Sequence, residues 1–263
     1  MINPNVIGVD IGCGIDAYNI GQVKIDLEKF DKFIHANIPA GSSVHEKMNK
    51  KIIQENRMLE SLIKKVASHE HKRIILSIGT LGGGNHFLEL DRDEDDNIWL
   101  VIHSGSRNLD LQVCHFHQRV AKQLIKKEFQ GAGAYHGMEY MRLDEGGEEY
   151  LYDMQITQAY AEENRTAIAR IIIEEFFKVK VSNCEKVSSV HNYINFNDNI
   201  VRKGAVSAHK GEKVIIPLNM RDGCLIATGK GNKKWNYSAP HGAGRLLKRS
   251  ETRELISLQE YIT

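Results

Sequence analysis

The 263-residue chain contains no CxxC pair, and its four cysteines, Cys13, Cys114, Cys184 and Cys224, are widely spaced. That spacing argues against both a disulfide framework and a zinc ribbon. No apolar run approaches the ~18–20 residues needed to span a bilayer. The opening "MINPNVIGVD" lacks the basic start, long apolar stretch and cleavage site of a secretory signal. No membrane association is expected, and a cytoplasmic location is. Internal repeats are absent, as is any stretch that reads as a linker, so one α+β domain is expected across residues 1–263. Net charge is also nearly absent, at +1, with 41% hydrophobic and 26% charged residues. This is the balance of an ordinary globular chain with enough core to fold.

The small net charge conceals an asymmetry. Residues 201–250 carry eleven Lys/Arg against Glu212 and Asp222, a local charge of +9. Acidic stretches such as "DRDEDD" (91–96) and "DEGGEE" (144–149) provide the balance. A basic segment of this kind points to a polyanionic partner, although a solvated face would look the same.

Periodicity predicts the elements. Val6 to Asp10 reads as a short buried strand that delivers Asp10 to its end, broken by Gly12 and Gly14 on either side of Cys13. Val44, Met48, Ile52, Leu59, Leu62, Ile63 and Val66 form a helical stripe over 43–69, with Ser42 or Ser43 as N-cap. "RIILSIGT" and "HFLEL" read as strands flanking Leu81-Gly82-Gly83-Gly84, and "IWLVIH" as another strand ending at His103. Helical spacing returns over 109–129 and over roughly 153–179, separated by a glycine-rich stretch at 131–147. From 187 the pattern is β: "VSSVHNYINF", "AVSA", "KVIIPL" and "CLIATG", with turn glycines at 204, 211 and 223.

Chemistry concentrates at four strand ends or loops: "GVDIGCG" (8–14), "GGGNHFLE" (82–89), "VIHSGSR" (101–107) and "SVHNYI" (189–194). Together they offer Asp10, Cys13, His86, His103 and His191. This mixed oxygen, sulfur and nitrogen set suits a divalent transition metal, or two if the thiolate bridges. Read singly, Asp10 is a cap, Cys13 a small core residue and His103 a hydrogen-bonded core histidine. The glycines before Asn85 suit a backbone that approaches an anion or nucleotide, or a flexible turn. Ser106 and Arg107 could grip a phosphate or simply close a loop.

"NYSAPHGAGR" (236–245) presents His241 differently. Pro240 orients the chain entering the histidine, and Gly242-Ala243-Gly244 leaves the space beyond it free of bulk. Arg245 adds a bidentate phosphate donor. Neutral imidazole near pH 7 is a competent nucleophile toward phosphorus. A surface turn that happens to contain histidine is the alternative.

In this order, "GVDIGCG", "GGGNHFLE", "HSGSR", "HN" (191–192), "RKGA" (202–205) and "NYSAPHGAGR" closely resemble the RtcB family of RNA ligases. The likeness runs from about residue 6 to 245 and is strongest to the shorter bacterial branch, in which "IPLNMRDG" replaces a glycine-rich segment. The resemblance implies GTP- and manganese-dependent joining of a 2′,3′-cyclic phosphate or 3′-phosphate RNA end to a 5′-hydroxyl end, in RNA repair or tRNA splicing. It implies that Asp10, Cys13, His86, His103 and His191 hold two Mn²⁺ ions, with Cys13 bridging, and that His241 takes up GMP. It further implies a guanylate pocket lined by Asn85, His86, Phe87, Leu88, Glu89, His191, Asn192, Pro217, Leu218, Asn219, Met220, His241, Gly242, Ala243 and Gly244. Cys224 stands near the nucleotide where the family carries serine. RNA, GTP and an activating protein are the partners the family implies. Family members have an N-terminal section with an Asp-Val-His stretch and a C-terminal lysine that contacts the nucleotide, so a ligase domain incomplete at both ends is expected. Two other functions stay open: a metal-dependent phosphodiesterase that uses no nucleotide, and a non-catalytic RNA-binding remnant.

Overall fold

A computed structural model describes residues 1–47, 56–129, 137–244, 251 and 257. Its centre is an antiparallel four-stranded sheet in the order β2-β3-β1-β4. These strands are β1 (Gly14–Gly21), β2 (Phe87–Arg92), β3 (Ile98–Ser104) and β4 (Lys186–Val190). The register pairs Gly14 with both Ser104 and Val190, and Phe87 with His103. The starts of β1 and β2 and the ends of β3 and β4 therefore meet at one end of the sheet. Cys13, His86, His103 and His191 sit immediately at or beside those four termini, so the topology alone gathers them.

Helices cover one face: α1 (Leu27–Asn37), α2 (Arg57–Val66), α3 (His71–Leu76), α4 (Asn108–Glu128) and α5 (Gly147–Arg170). α5 packs on β1 and β3. It buries residues all around its circumference, from Tyr150 and Met154 to Ile168 and Ala169, as a helix enclosed by other elements must. The main core joins Tyr18, Leu100 and Ile102 of the sheet to Ile63, Leu109, Val113 and Ile168 of the helices. Alternation along the strands gives the other face to Ile15, Ala17, Trp99, Val101 and Val187, covered by Ile215. Ile215 belongs to β8 (Lys213–Asn219), which forms a hairpin with β9 (Gly223–Thr228). β5 (Asn192–Asn195) pairs with β6 (Ile200–Lys203), and β7 (Ala205–Ser207) with β10 (Ser238–Pro240).

The expected α+β class holds, but several local expectations need correction. Residues 6–9 are turns, not a strand. Asn3 and Pro4 carbonyls accept from Val6 and Gly8 N–H, Gly8 has φ +72°, and Ile7 and Ile11 are buried at helix-like spacing. "RIILSIGT" begins as helix α3, because Ile74 and Ile78 are the buried pair, a period of four instead of two. The stripe predicted over 43–69 yields α2, N-capped by Asn56, whose side chain accepts from Met58 and Leu59 N–H. Ser42 and Ser43 lie outside it, and residues 48–55 are not among those described. The helix expected over 153–179 starts earlier, at Gly147, and leaves α geometry at Ile171–Phe176, a π-helical stretch. None of the described helices is long and apolar enough to cross a membrane.

Candidate metal centre and nucleotide pocket

Three imidazoles and a thiol converge at the end of the sheet. Cys13 Sγ lies 3.2 Å from His103 Nε2 and 3.6 Å from His86 Nε2. His103 Nε2 is 3.3 Å from His191 Nε2. Donor atoms of Cys13, His103 and His191, and separately of Asp10, Cys13 and His86, all lie within 4.8 Å of one another. The five residues singled out from sequence thus form two overlapping sets that share Cys13.

The loops leading to the sheet orient these groups. His191 N–H donates to the Cys13 carbonyl and Gly12 N–H to the Asn192 carbonyl, tying the first segment to the fourth. Gly105 passes so close that a Cβ there would stand 3.5 Å from both Asp10 Oδ1 and Cys13 Cα. His86 Nδ1 lies 2.9 Å from the Leu81 carbonyl and His103 Nδ1 3.0 Å from the Asn85 carbonyl. A carbonyl can only accept, so both rings carry their proton on Nδ1 and turn the Nε2 lone pair inward.

Burial first, and the other imidazoles second, push His103 down to about 3 and His191 down to about 2. Both are neutral at pH 7. Burial and the neighbouring Asp10 raise the Cys13 thiol well above its usual range. Inward-facing imidazole nitrogens, a carboxylate and a thiol are thus aimed at one point, where a divalent cation would take up all of them. The donor set therefore suits one or two divalent cations, and binding would displace the thiol proton.

His241 stands next to this centre. Its ring centroid is 4.9 Å from that of His191, and its Nδ1 lies 2.6 Å from the Gly204 carbonyl. The neutral ring is thereby held with its lone pair on Nε2, the atom a nucleophile needs. Gly204 has φ +65°, and a Cβ there would meet the His241 ring at 3.4 Å. Asn192 links the two parts: Nδ2 donates to Asp10 Oδ2 at 2.8 Å, while Oδ1 accepts from Gly204 N–H at 3.0 Å.

The residues beyond His241 reach β8, where Ala243 N–H donates to the Pro217 carbonyl at 3.1 Å. Pro217 pairs with Cys224, whose Sγ lies 3.2 Å from Glu89 Oε1 on β2. Cross-strand partners put Phe87, Glu89 and His103 on the same sheet face. Glu89, Cys224, Pro217, Gly242, His241 and His191 are thus linked in a continuous series. Burial, then Asp91, pushes Glu89 up to about 7. Asn219 and Met220 stand apart: Asn219 Oδ1 accepts from Arg221 and Asp222 N–H in the hairpin turn, and Met220 is 78% exposed. Leu218 is half-buried on β8, Leu88 and Gly242 are half-buried, and Asn85 and Gly244 are exposed. Arg245 is not among the described residues.

Ser106 and Arg107 turn out to tie loops together. Ser106 Oγ donates to the Ile11 carbonyl, Arg107 Nε to Thr80 Oγ1 and Arg107 Nη2 to the Gly41 carbonyl. Sequence reading missed Asn164 and Arg165 on α5. Arg165 Nη1 donates to the carbonyls of Gly12 (3.0 Å) and Ser104 (3.1 Å), the residues flanking Cys13 and His103. Its Nε is 3.1 Å from Asp16 Oδ1, and both side chains are fully buried. Asn164 accepts from Gly79 and Thr80 N–H and donates to the Gly105 carbonyl. A charged residue amid the alanines and isoleucines of a buried helix was the available signal.

The family model described as tRNA-splicing ligase RtcB matches residues 1–263, the whole chain. The chain belongs to the RtcB family. It is similar to RNA-splicing ligase RtcB of Escherichia coli K12, with 28% identity over 99% of this chain and 72% of that protein. RNA-splicing ligase RtcB1 of another Escherichia coli strain shows the same identity and coverage. The tRNA-splicing ligase RtcB of Nanoarchaeum equitans is 26% identical over 98% of this chain and 70% of the relative. The RtcB membership expected from the ordered motifs is borne out.

Proposed function

We propose that this RtcB-family chain is an RNA ligase, its described residues forming one ligase domain that joins a 2′,3′-cyclic phosphate or 3′-phosphate end to a 5′-hydroxyl end with GTP and Mn²⁺. The single observation that carries the reading is His241: an accessible imidazole, its Nδ1 held by the Gly204 carbonyl, beside a Cys13–His103–His191 cluster. A divalent cation bound there would neutralise charge that develops on phosphate oxygens.

The chain's own residues do the remainder. His241 Nε2 attacks the α-phosphorus of GTP; the P–N bond forms as the bond to pyrophosphate breaks. The RNA 3′-phosphate then takes the guanylyl group from His241, and the 5′-hydroxyl attacks that activated phosphate with loss of GMP. A cyclic phosphate is first hydrolysed to the 3′-phosphate. Asn192 holds Asp10 and, through Gly204, the ring it serves. Glu89, raised toward neutrality, and Cys224 present a hydrogen-bonding edge for the base. The basic segment from 201 onward meets the RNA backbone without reading its sequence. A cytoplasmic enzyme with an activating protein partner completes the proposal.

The test is a joining assay on two oligonucleotides, one ending in 3′-phosphate and one starting with 5′-hydroxyl. Product is expected only when GTP and Mn²⁺ are both present. Opening of a cyclic phosphate without nucleotide, and no joining, would favour a phosphodiesterase instead.

A further inference from the structure

The metal centre and nucleotide pocket leave one aromatic feature unused. The chain has two tryptophans. Trp99 is buried in the sheet, with Nε1 donating to Asp93 Oδ2 at 2.8 Å. Trp235, in contrast, is 68% exposed, at the last position of a short 3₁₀ turn, Lys233–Trp235. A singly exposed ring is ordinary on a protein surface, so what distinguishes Trp235 is the support beneath it and the charge around it.

The turn beneath it is firmly built. Asn232 Oδ1 accepts from Lys234 N–H, and the Asn232 carbonyl accepts from both Trp235 and Tyr237 N–H. Asn236 and Tyr237 both have positive φ, 49° and 51°. The Asn236 carbonyl is held by Arg202 Nη2 and Ser238 Oγ, and Arg202 is itself buried and paired with Asp198. Tyr237 stacks on His209 at 4.6 Å with the rings 16° from parallel. The indole is therefore carried on a braced support.

Cations surround it. Lys233 and Lys234 are its immediate neighbours, and both are exposed. Gly231 N–H donates to the Ala208 carbonyl, and a Cβ on Gly231 would touch Lys210, so exposed Lys210 and Lys230 belong to the same loop cluster. No ion pair is recorded for these four lysines among the described residues. From Trp235, three residues of β10 lead toward His241, and six residues of chain limit the separation to about 20 Å.

We propose that the Trp235 turn is a stacking platform for an unpaired base near the end of single-stranded RNA, with Lys210, Lys230, Lys233 and Lys234 meeting the flanking phosphates. An aromatic face accepts any base, and lysines grip the backbone without sequence readout, which suits an enzyme that joins ends of varied sequence. The proposal rests on the RNA-ligase reading and adds to it where the strand is held outside the reacting centre.

Fluorescence provides the test, because Trp235 is the exposed emitter. A single-stranded decamer with a 3′-phosphate is titrated without metal or GTP, so that no joining occurs. Quenching of wild-type emission is expected. By anisotropy of labelled RNA, Trp235→Ala should bind roughly 5- to 150-fold more weakly, while Trp235→Phe stays within about threefold because a phenyl ring still stacks. An abasic decamer should bind wild type as weakly as the normal decamer binds Trp235→Ala. Equal binding by wild type and Trp235→Ala, or equal binding of abasic and normal decamers, would overturn the platform. GMP uptake by wild type, measured in parallel without RNA, tests the ligase reading separately.

Discussion

Arg165 ties the loop that carries Cys13 to the strand end that carries His103, and replacing it gives a prediction whose size follows from the structure. In Arg165→Met the carbonyls of Gly12 and Ser104 lose their buried donor, and Asp16 loses one of the two cations, each 3.1 Å away, that serve it from α5 and β4. At 3.1 Å and an effective dielectric of about 20, the gross attraction between Arg165 and Asp16 is about 5 kcal/mol. Breaking a buried pair by removing one partner costs about 3–5 kcal/mol in practice. Each carbonyl left without a donor adds about 1–3 kcal/mol unless water reaches it. Metal-free Arg165→Met should thus lose at least about 5 kcal/mol in urea unfolding, with Asp16→Asn in the same chain recovering a substantial part of it. Asp16 is held below the usual carboxylate range against its burial, because Arg165 and Lys186 flank it, so the neutral asparagine removes the stranded charge. Mn²⁺ affinity, measured by calorimetry on folded protein, should fall at least about tenfold, since both loops lose their anchor. Wild-type metal affinity in a destabilised Arg165→Met would refute the positioning argument and leave Arg165 a core residue. An unchanged unfolding midpoint would refute the energetics as well.

Three further outcomes follow from the same geometry. Cys13→Ala should lose both cations together, because both donor sets contain this thiol; full occupancy in metal analysis would contradict sharing. Gly204→Ala should fold but take up GMP more slowly, since alanine is strained at φ +65° and the carbonyl that holds His241 Nδ1 belongs to this residue; a wild-type rate would remove the requirement for glycine there. Glu89, raised to about 7, binds its proton more tightly folded than unfolded. Its contribution is fully present below pH 4.5 and lost as pH rises through 7, with a slope of up to about 1.4 kcal/mol per pH unit. Glu89→Gln should flatten that dependence in urea melts of the metal-free protein, and an unaltered slope would count against the shift.

Much of the candidate site was legible because residues able to ligate a metal stand out at strand ends. "IWLVIH" closes an apolar run on an imidazole, and "GVDIGCG" places acid and thiol among glycines. What the sequence could not convey is that β1 and β2 start where β3 and β4 finish, since strand order is a long-range property. The errors have the same origin. Ile74, Ile75 and Ile78 satisfy either period until the sheet and α5 decide which side is buried. Val6 to Asp10 is apolar enough for a strand, but the Asn3-Pro4 turn coils it first. Arg165 escaped notice because its partners are backbone carbonyls at residues 12 and 104, which no side-chain pattern reports.

We propose that His241 is the nucleophile and that the neighbouring donor cluster would hold the cation that activates its phosphate target. Intact-protein mass after incubation with GTP and Mn²⁺ tests it most directly. One GMP per chain is predicted, lost in His241→Ala, lost in Cys13→Ala and released by acid as expected of a P–N bond. A GMP adduct that persists in His241→Ala, or none on the wild-type chain, would contradict it.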